Sequence, residues 1–423
     1  MKKKTGKSGR YFWVLIILAA AALLLGFYQE QLVMAKAPEQ EDIRNFISFA
    51  PDVSAEMYDS DYWAEKYGKS GKLILNEQEI RQLQDAVYHS DQQLLHNIWE
   101  EGYPEKNNMS YGICVKRTGV MELPEDGSPE ESYIDENQLT AVRINTPVLV
   151  DDCSADAGYY HILMYDYEGW VPADCIALCS GREEWLNAQE MENRLVITAP
   201  RLSLEITGEL LTMGTRLRLL TAEESEETEE PGSTWGCYTV QLPIRQEDGS
   251  YGVKNVQIPY SDYVHAGYLP FTTRNLLKQM FRFLGNSYGW GGMYDSVDCS
   301  ALVQEVMACF GLDFPRDAQN QILVPGERIE FDDTMTEKER KKLLDTLPPG
   351  TLLYFPGHIM FYLGKEEGQY YVLSALSSAC MPEENFPETD EPLNIRRVII
   401  NTLELRRKNG NSWLDELTEG LRL

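Results

Sequence analysis

A chain of 423 residues is long enough for two to four domains, and its 43% hydrophobic and 25% charged residues are typical of globular proteins. The formal net charge of −29 argues against a nucleic-acid-binding protein, because such proteins place lysine and arginine against phosphates. One acidic run, residues 222–230 (AEESEETEE), predicts a solvated loop.

The N-terminus combines a basic flank with an apolar run. Five cations precede an uncharged span over residues 11–28, namely Lys2, Lys3, Lys4, Lys7 and Arg10. The length of the span is near the lower limit for a transmembrane helix, and the basic flank predicts a cytoplasmic N-terminus with the remainder outside. A cleaved signal peptide is the alternative, with Ala35-Lys36-Ala37 as a small-residue site. We favour the uncleaved anchor because that site lies well beyond the apolar run.

The segment over residues 39–108 predicts helices, since its apolar residues recur at amphipathic spacing. Within it, residues 57–63 (MYDSDYW) predict an arm that packs on another part of the protein. Two β-type segments follow, over residues 110–178 and 195–269, each built from short runs separated by turn residues. They end on similar sequences, GWVP and GYLP, which indicates a diverged duplicate.

The strongest functional signal lies around Cys299. Asp298 is a good N-cap residue, and apolar residues recur at helical spacing until Gly311, which predicts a helix that begins at Cys299. Unpaired N–H groups and the helix dipole at such an end favour a thiolate, the nucleophilic form of cysteine. The alternative for an isolated Asp-Cys-Ser is a small buried cysteine beside an ordinary cap.

A cysteine nucleophile needs a base, and His358 is the one histidine downstream of Cys299. It begins a predicted strand over residues 358–363, which follows another predicted strand over residues 351–355. Cysteine at a helix start and histidine at a strand start is the pairing of papain-like thiol enzymes.

The eight cysteines form no paired CxxC metal pattern, and Cys175 and Cys179 make a single CxxxC without a matching pair of histidines. We therefore predict no metal and no cofactor. A disulfide framework is not expected either, because a chain of this size can bury a core without cross-links.

Four motifs occur in order after residue 285: Tyr288-Gly289-Trp290-Gly291-Gly292, Asp298-Cys299-Ser300, Pro315-Arg316-Asp317-Ala318 with Gln321, and Gly357-His358-Ile359. Together they resemble the NlpC/p60 cysteine peptidases, which cut cell-wall peptides. The resemblance extends upstream into two bacterial SH3-like segments. It implies an α+β fold, with a papain-like NlpC/p60 catalytic domain preceded by two small SH3-like β-barrels and an N-terminal transmembrane helix.

The resemblance implies five parts in the chain. They are a basic tail, anchor and stalk (1–37), a helical stabilising segment (38–108), a first SH3-like barrel (109–180), a second SH3-like barrel (193–270), and a peptidase domain with a C-terminal extension (271–423). The expected location is the cell membrane, with a single pass through residues 11–28 and the catalytic domain outside.

The resemblance also assigns roles to residues. Cys299 is the implied nucleophile and His358 the implied base. The implied substrate-binding residues are Tyr288, Trp290, Asp298, Ser300, Pro315 and Arg316. Asp298 and Ser300 would contact the N-terminal alanine of the substrate. Arg316 would border the carboxylate of D-Glu, an anion that suits a guanidinium.

The third catalytic position departs from the family pattern, which has histidine, asparagine or glutamine there. Ser374 occupies this position, on a predicted strand over residues 370–375. A neutral hydroxyl can accept the Nδ1–H of His358, but it fixes the tautomer more weakly than a carboxylate does. Ser377 or a backbone carbonyl is the alternative.

The implied function is hydrolysis of peptidoglycan stem peptides or muropeptides, after γ-D-Glu and through a Cys299 thioester. A catalytically weak wall-binding or scaffold protein is one alternative, and a thiol acyltransferase or amidase is another. The sequence leaves open whether diaminopimelate or lysine follows D-Glu, and whether intact wall or free peptide is cut.

Overall fold

The computed structural model of the protein describes residues 54–67, 71–88, 109–125, 134–204, 207–228, 235–380 and 392–423, all within one compact unit. The predicted anchor over residues 11–28 and the stalk after it lie outside the described residues. Among the residues described, no helix is both long and apolar enough to cross a membrane.

The predicted packing arm is confirmed. Residues 57–63 of the arm fall in a 3-10 turn (Ala55–Tyr58) and helix α1 (Ser60–Lys66), and helix α2 (Glu77–Tyr88) follows. Asp59 caps α1 by accepting the N–H of Asp61. The fully buried Trp63 donates its indole N–H to the carbonyl of Met57 at 2.9 Å. Its ring lies 5.7 Å from that of Tyr371, so the arm packs against the C-terminal region.

Seven antiparallel strands form the first β region, which agrees with the β-type runs of the sequence. They are β1 (Ser110–Cys114), β2 (Thr118–Met121), β3 (Gln138–Val142), β4 (Pro147–Cys153), β5 (Tyr159–Leu163), β6 (Glu168–Pro172) and β7 (Ile176–Leu178), with a 3-10 turn at Ala173–Cys175. Their order across the sheet is β3-β2-β6-β5-β4-β1-β7. Buried β-branched residues such as Val120, Ile162 and Val171 fill the core.

The second β region follows helix α3 (Arg182–Gln189), whose buried Trp185 donates to the carbonyl of Gly112 at 3.0 Å. Its strands are β8 (Arg194–Ile197), β9 (Arg201–Ser203), β10 (Leu210–Thr212), β11 (Arg216–Leu219), β12 (Cys237–Arg245), β13 (Tyr251–Pro259) and β14 (Val264–Ala266). Five of them form a sheet in the order β13-β12-β11-β8-β14, and β9 pairs with β10 separately.

The acidic run is helical over residues 222–228, so the loop prediction was wrong there, and residues 229–230 lie outside the described residues. Helix α4 covers Ala222–Thr228. The Glu224 carboxylate accepts the N–H of Thr221 at 2.8 Å, and the Thr221 hydroxyl accepts the N–H of Glu224 at 3.2 Å. This reciprocal capping box, followed by good helix formers, outweighs the repulsion between like charges.

The C-terminal region combines helices with a six-stranded antiparallel sheet. The helices are α5 (Thr273–Phe281), α6 (Cys299–Ala308), α7 (Ala318–Gln321), α8 (Glu337–Leu344) and α9 (Trp413–Glu416). The strands are β15 (Glu327–Glu330), β16 (Leu352–Phe355), β17 (His358–Glu366), β18 (Gln369–Ala379), β19 (Leu393–Thr402) and β20 (Glu419–Arg422). The strand order is β15-β20-β16-β17-β18-β19. Helix α6 shares a core with β17 and β18, where Val303 joins Ile359 and Leu373, and this packing brings Cys299 to the sheet.

Candidate active site

The start of α6 positions Cys299. Asp298 has an extended backbone, and its Oδ1 accepts the N–H of Ala301 at 2.9 Å, which is the cap predicted from the sequence. The other carboxylate oxygen accepts the N–H of Gly291 at 3.0 Å. The cap therefore holds Cys299 in the first turn of α6 and ties that turn to the glycine-rich loop.

The Cys299 side chain is a neutral thiol in this structure. Burial and the Asp298 carboxylate raise the pKa of Cys299 to about 11, although the N–H groups of Ile359 and Ser300 hydrogen-bond the sulfur and favour the thiolate. Burial and the capping carboxylate therefore raise the pKa of Cys299 by more than the helix start lowers it. The resting nucleophile must therefore lose its proton during attack.

The imidazole of His358 packs against two aromatic rings at the start of β17. Its ring centroid lies 5.4 Å from that of Phe355 and 5.0 Å from that of Trp413. The residue is 9% exposed, and its Nε2 has no hydrogen-bond partner within the described part of the chain. Burial, with a smaller contribution from the positive charge of Arg407, lowers the pKa of His358 to about 3. His358 is therefore neutral near pH 7.

Cys299 and His358 line the same cavity, which has a volume of about 320 Å³ and also contacts Tyr288, Phe355 and Trp413. The structure thus brings the predicted nucleophile and the predicted base together. Because both are neutral, the arrangement suits a base that removes the thiol proton as the sulfur attacks, rather than a preformed ion pair.

Ser374 forms no hydrogen bond with His358, which corrects the sequence prediction. The Ser374 side chain is fully buried, and its Oγ has no hydrogen-bond partner among the described residues. Counting along the strands from the Phe361–Leu373 pair places Ser374 opposite Met360 and diagonal to His358. Diagonal neighbours in a sheet are about 7–8 Å apart, farther than residues directly opposite each other.

We expect Ser374→Ala to keep kcat within about threefold of the wild-type value and to leave the melting temperature unlowered, because it removes a buried hydroxyl that already lacks a hydrogen bond. Ser300→Ala is the matched control, since the Ser300 hydroxyl accepts a bond from Arg316 at 2.6 Å and its loss should lower the melting temperature. Peptide turnover and calorimetry measure both. A tenfold fall in kcat for Ser374→Ala at unchanged melting temperature would restore Ser374 as the third catalytic residue.

Arg316 lies in an internal ion pair, and its predicted place beside a substrate carboxylate stays a prediction. Its Nη2 donates to Asp298, its Nη1 to Ser300 Oγ at 2.6 Å, and its Nε to Thr140 Oγ1 at 2.7 Å. Arg316 is 5% exposed and Asp298 is 6% exposed. Burial raises the pKa of Asp298, but the adjacent guanidinium outweighs burial and holds that pKa below its usual range. The network therefore joins the start of α6 to the first β region.

The loop over residues 288–297 is held by the first β region. Gly291 and Gly292 have φ values of 55° and 83°, which disfavour other residues. A Cβ on Gly291 would also come within 2.7 Å of the backbone oxygen of Gln138. The Gln138 amide donates to the Gly291 carbonyl at 2.7 Å, and Arg117 donates to the Gly292 carbonyl at 2.9 Å. The first β region thus fixes the shape of the loop beside Cys299.

Arg201, on β9 of the second β region, holds the same loop. Its Nη2 donates to the carbonyl of Tyr294 at 2.8 Å and its Nε to the carbonyl of Asp295 at 2.6 Å. Tyr294 and Asp295 have φ values of 57° and 51°, a strained conformation for residues other than glycine. The arginine therefore stabilises a backbone conformation that Tyr294 and Asp295 disfavour on their own.

We expect Arg201→Gln to lower kcat about tenfold, because loss of two charge-assisted bonds frees the strained loop beside Cys299. Arg218→Gln is the matched control, since Arg218 lies in the same β region but pairs with Glu224 at the surface. Steady-state kinetics on both variants test the difference. Equal kcat values in the two variants would mean that the second β region does not position the loop.

The other predicted substrate residues are spread around the site. Tyr288 lines the cavity, whereas Trp290 is 39% exposed and does not. Pro315 is buried, and its carbonyl accepts the side-chain N–H of Gln321 at 2.8 Å. Gln321 also donates to the carbonyl of Ser300 at 2.8 Å. Of the six residues predicted to bind substrate, Tyr288 alone lines the cavity of Cys299 and His358. Ser377, the predicted alternative to Ser374, lines this cavity as well.

Several residues that support the site were not predicted, namely Arg117, Gln138, Thr140, Arg201 and Arg407. They come from distant parts of the chain, and nothing in their local sequence marks them. The described residues contain no group of three or more histidine, cysteine, aspartate or glutamate side chains that could hold a metal ion. None of the eight cysteines forms a disulfide bond.

Two family models match the chain. Residues 285–378 match the NlpC/P60 family, and residues 125–172 match the SH3 domain of the SH3b1 type. The first match contains Cys299, His358 and Ser374. No match was found among curated proteins.

The chain is similar to several solved structures, and the first of those described here shares its fold. An NlpC/P60 endopeptidase from Photobacterium damselae subsp. piscicida is 18% identical, with a TM-score of 0.67 over 89% of this chain and 98% of that one. NlpC2 and NlpC1 from Trichomonas vaginalis are each 14% identical with TM-scores of 0.25, covering 71% and 72% of this chain and 99% and 95% of theirs. Residues 285–378 therefore form a domain that matches the NlpC/P60 family, which makes this part of the chain a cysteine peptidase, and it follows a segment that matches the SH3 domain of the SH3b1 type.

Proposed function

We propose that the chain hydrolyses peptidoglycan stem peptides at the bond between γ-D-Glu and the diamino acid that follows it. The NlpC/P60 domain supports a peptidoglycan-hydrolysing endopeptidase. The observation that carries the proposal is the single cavity of about 320 Å³ that Cys299 and His358 line together. A thiol at a helix start and an imidazole on a neighbouring strand are the groups that amide hydrolysis through a thioester requires.

In the proposed reaction, the Cys299 sulfur attacks the amide carbon while His358 accepts the thiol proton. Burial raises the pKa of Cys299 and lowers that of His358, which favours the neutral pair before attack. His358 then gives the proton to the leaving amine, and the C–N bond breaks to leave a Cys299 thioester. Water, deprotonated by His358, hydrolyses the thioester and restores the thiol. Backbone N–H groups at the start of α6 would stabilise the oxyanion.

A catalytically weak wall-binding protein is the second candidate function. It is favoured by the state of His358, whose Nε2 lacks a partner among the described residues and whose pKa lies near 3. Such an imidazole is a weak base near pH 7, where general bases with pKa values close to the working pH are most efficient. In this candidate, the cavity binds peptides without turnover.

The deciding experiment incubates the full-length protein with muropeptides and identifies the products by mass spectrometry. We expect one fragment that ends on D-Glu and one that begins with a free diamino acid. Fragments from a different bond would refute the assigned bond. Retention of intact muropeptides on the protein, without new fragments, would establish the second candidate.

We further propose that residues 11–28 anchor the chain in the cell membrane with the peptidase domain outside, as the basic flank supports. The proposed domain division is the one given above, with the second β region as a diverged duplicate of the first. We expect protease added to intact cells to degrade the chain beyond residue 28. Immunoblots with antibodies against residues 109–180 measure this, with a cytoplasmic protein as the control. Protection of that segment would contradict the topology.

A further inference from the structure

Cations line the cavity of Cys299 and His358 within the described part of an acidic chain. Three consecutive cations line it, Arg406, Arg407 and Lys408, and no aspartate or glutamate of the described residues does. The chain as a whole has 67 acidic residues against 38 lysines and arginines. A cationic cavity on such an acidic protein favours an anionic group on the ligand.

The cationic segment is held in place by its backbone and by one aromatic ring. Arg407 donates to the carbonyl of Pro356 at 3.0 Å, and its guanidinium carbon lies 4.9 Å from the centroid of Phe355. The N–H of Arg407 donates to Asn411 at 3.0 Å, which closes a tight turn around Lys408. The guanidinium is therefore positioned before any ligand binds, which lowers the entropic cost of using it.

The segment lies on the side of the cavity where the leaving group must go. His358 protonates the leaving nitrogen in the proposed reaction, so whatever follows that nitrogen lies beyond His358. Phe355, which carries the Arg407 guanidinium, stacks at 5.4 Å from His358 and at 5.3 Å from Trp413. The acyl side, in contrast, adjoins the start of α6, where the charge of Arg316 is already paired with Asp298.

We propose that Arg407 and Lys408 form a carboxylate-binding subsite for the residue that follows the scissile amide. The proposal rests on the proposed function and concerns the diamino acid after γ-D-Glu, which the proposed function does not specify. A diamino acid whose side chain ends in a carboxylate, such as diaminopimelate, pairs with the guanidinium and the ammonium group. The lysine side chain at the same position ends in an ammonium group without a carboxylate, so lysine is disfavoured.

The Arg407 side chain of this subsite also affects the pKa of His358, the proposed base. The charge of Arg407 contributes to the low pKa of His358, after the larger effect of burial. A carboxylate bound to Arg407 offsets that charge and raises the proton affinity of the imidazole. The substrate carboxylate should therefore increase kcat as well as lower KM.

The test compares three peptides with the full-length protein, each with the α-carboxyl group of its last residue amidated: L-Ala-γ-D-Glu-diaminopimelate, the same peptide with the side-chain carboxyl group amidated as well, and L-Ala-γ-D-Glu-L-Lys. We expect kcat/KM for the first peptide to exceed that for the amidated one about 10- to 100-fold, the range for a hydrogen bond to a charged group. Arg407→Gln should reduce this ratio to near one. Lys408→Gln should reduce it in part, and Arg407→Lys should retain part of it.

Lys338→Gln is the matched control, because Lys338 is exposed on α8 and lies outside the cavity. It should keep the wild-type ratio. Equal kcat/KM values for the free and amidated peptides, or an unchanged ratio in Arg407→Gln, would overturn the subsite and leave the proposed function intact. If none of the three peptides is cleaved, the proposed function itself fails. If Arg407→Gln does not fold, the kcat/KM ratio of the wild type and that of Lys408→Gln still test the subsite.

Discussion

Cys299→Ala is expected to lower peptide hydrolysis by roughly 10⁴- to 10⁶-fold, the loss seen when a catalytic nucleophile is removed. The variant has no atom that can form the thioester, and the neutral His358 cannot replace it. Folding should be preserved, because Cys299 is only partly buried and alanine is favourable in the first turn of a helix. Initial rates on muropeptides, with circular dichroism as a check of folding, measure the effect.

The matched control is Cys309→Ala, at the other end of α6. Cys309 is buried and contacts the carbonyls of Ile197 and Glu305, so its loss should lower stability by about 1 kcal/mol and leave kcat near the wild-type value. A stable Cys299→Ala variant that keeps more than a tenth of the wild-type rate would show that another group is the nucleophile.

Arg316→Leu is expected to have the largest effect on stability, a loss of about 3–5 kcal/mol. The substitution leaves the buried Asp298 charge without its partner and removes the bonds to Ser300 and Thr140. Asp298→Asn/Arg316→Leu removes both charges and should cost less than the sum of the single changes. Urea denaturation of Arg316→Leu, Asp298→Asn and the double variant gives their free energies of unfolding.

The difference in free energy of unfolding between the wild type and Arg316→Leu should depend on pH. The pKa of Asp298 is lowered in the folded state, so its contribution is fully present above the unfolded value of about 3.9 and is lost as the pH falls through the folded value. The gap between wild type and Arg316→Leu should therefore narrow below pH 4. If Arg316→Leu is as stable as the wild type but has a raised KM, the guanidinium serves the substrate, as the family resemblance implied.

Local sequence patterns predict the parts of the site that depend on local structure. The cap at Asp298, the helix that follows it and the strand that begins at His358 are each specified by neighbouring residues. The acidic helix α4 was missed because the charge pattern was considered without the Thr221–Glu224 capping box.

The contacts between distant segments could not be predicted in this way. The burial of Arg316 depends on Thr140, which only the packing of the first β region brings to it. Whether Ser374 reaches His358 depends on strand register, and register places the two on a diagonal. The cations at residues 406–408 line the cavity because the C-terminal segment returns to the sheet, and no local pattern indicates this return.

The most direct test of the account is to trap the acyl-enzyme on Cys299. Full-length protein is mixed with L-Ala-γ-D-Glu-diaminopimelate, quenched in acid within the first turnover and digested for mass spectrometry. The account predicts that the peptide containing Cys299 gains the mass of an L-Ala-γ-D-Glu acyl group, and that no such adduct forms in Cys299→Ala. Turnover of the substrate with an unmodified Cys299, or an adduct on any other residue, would contradict it.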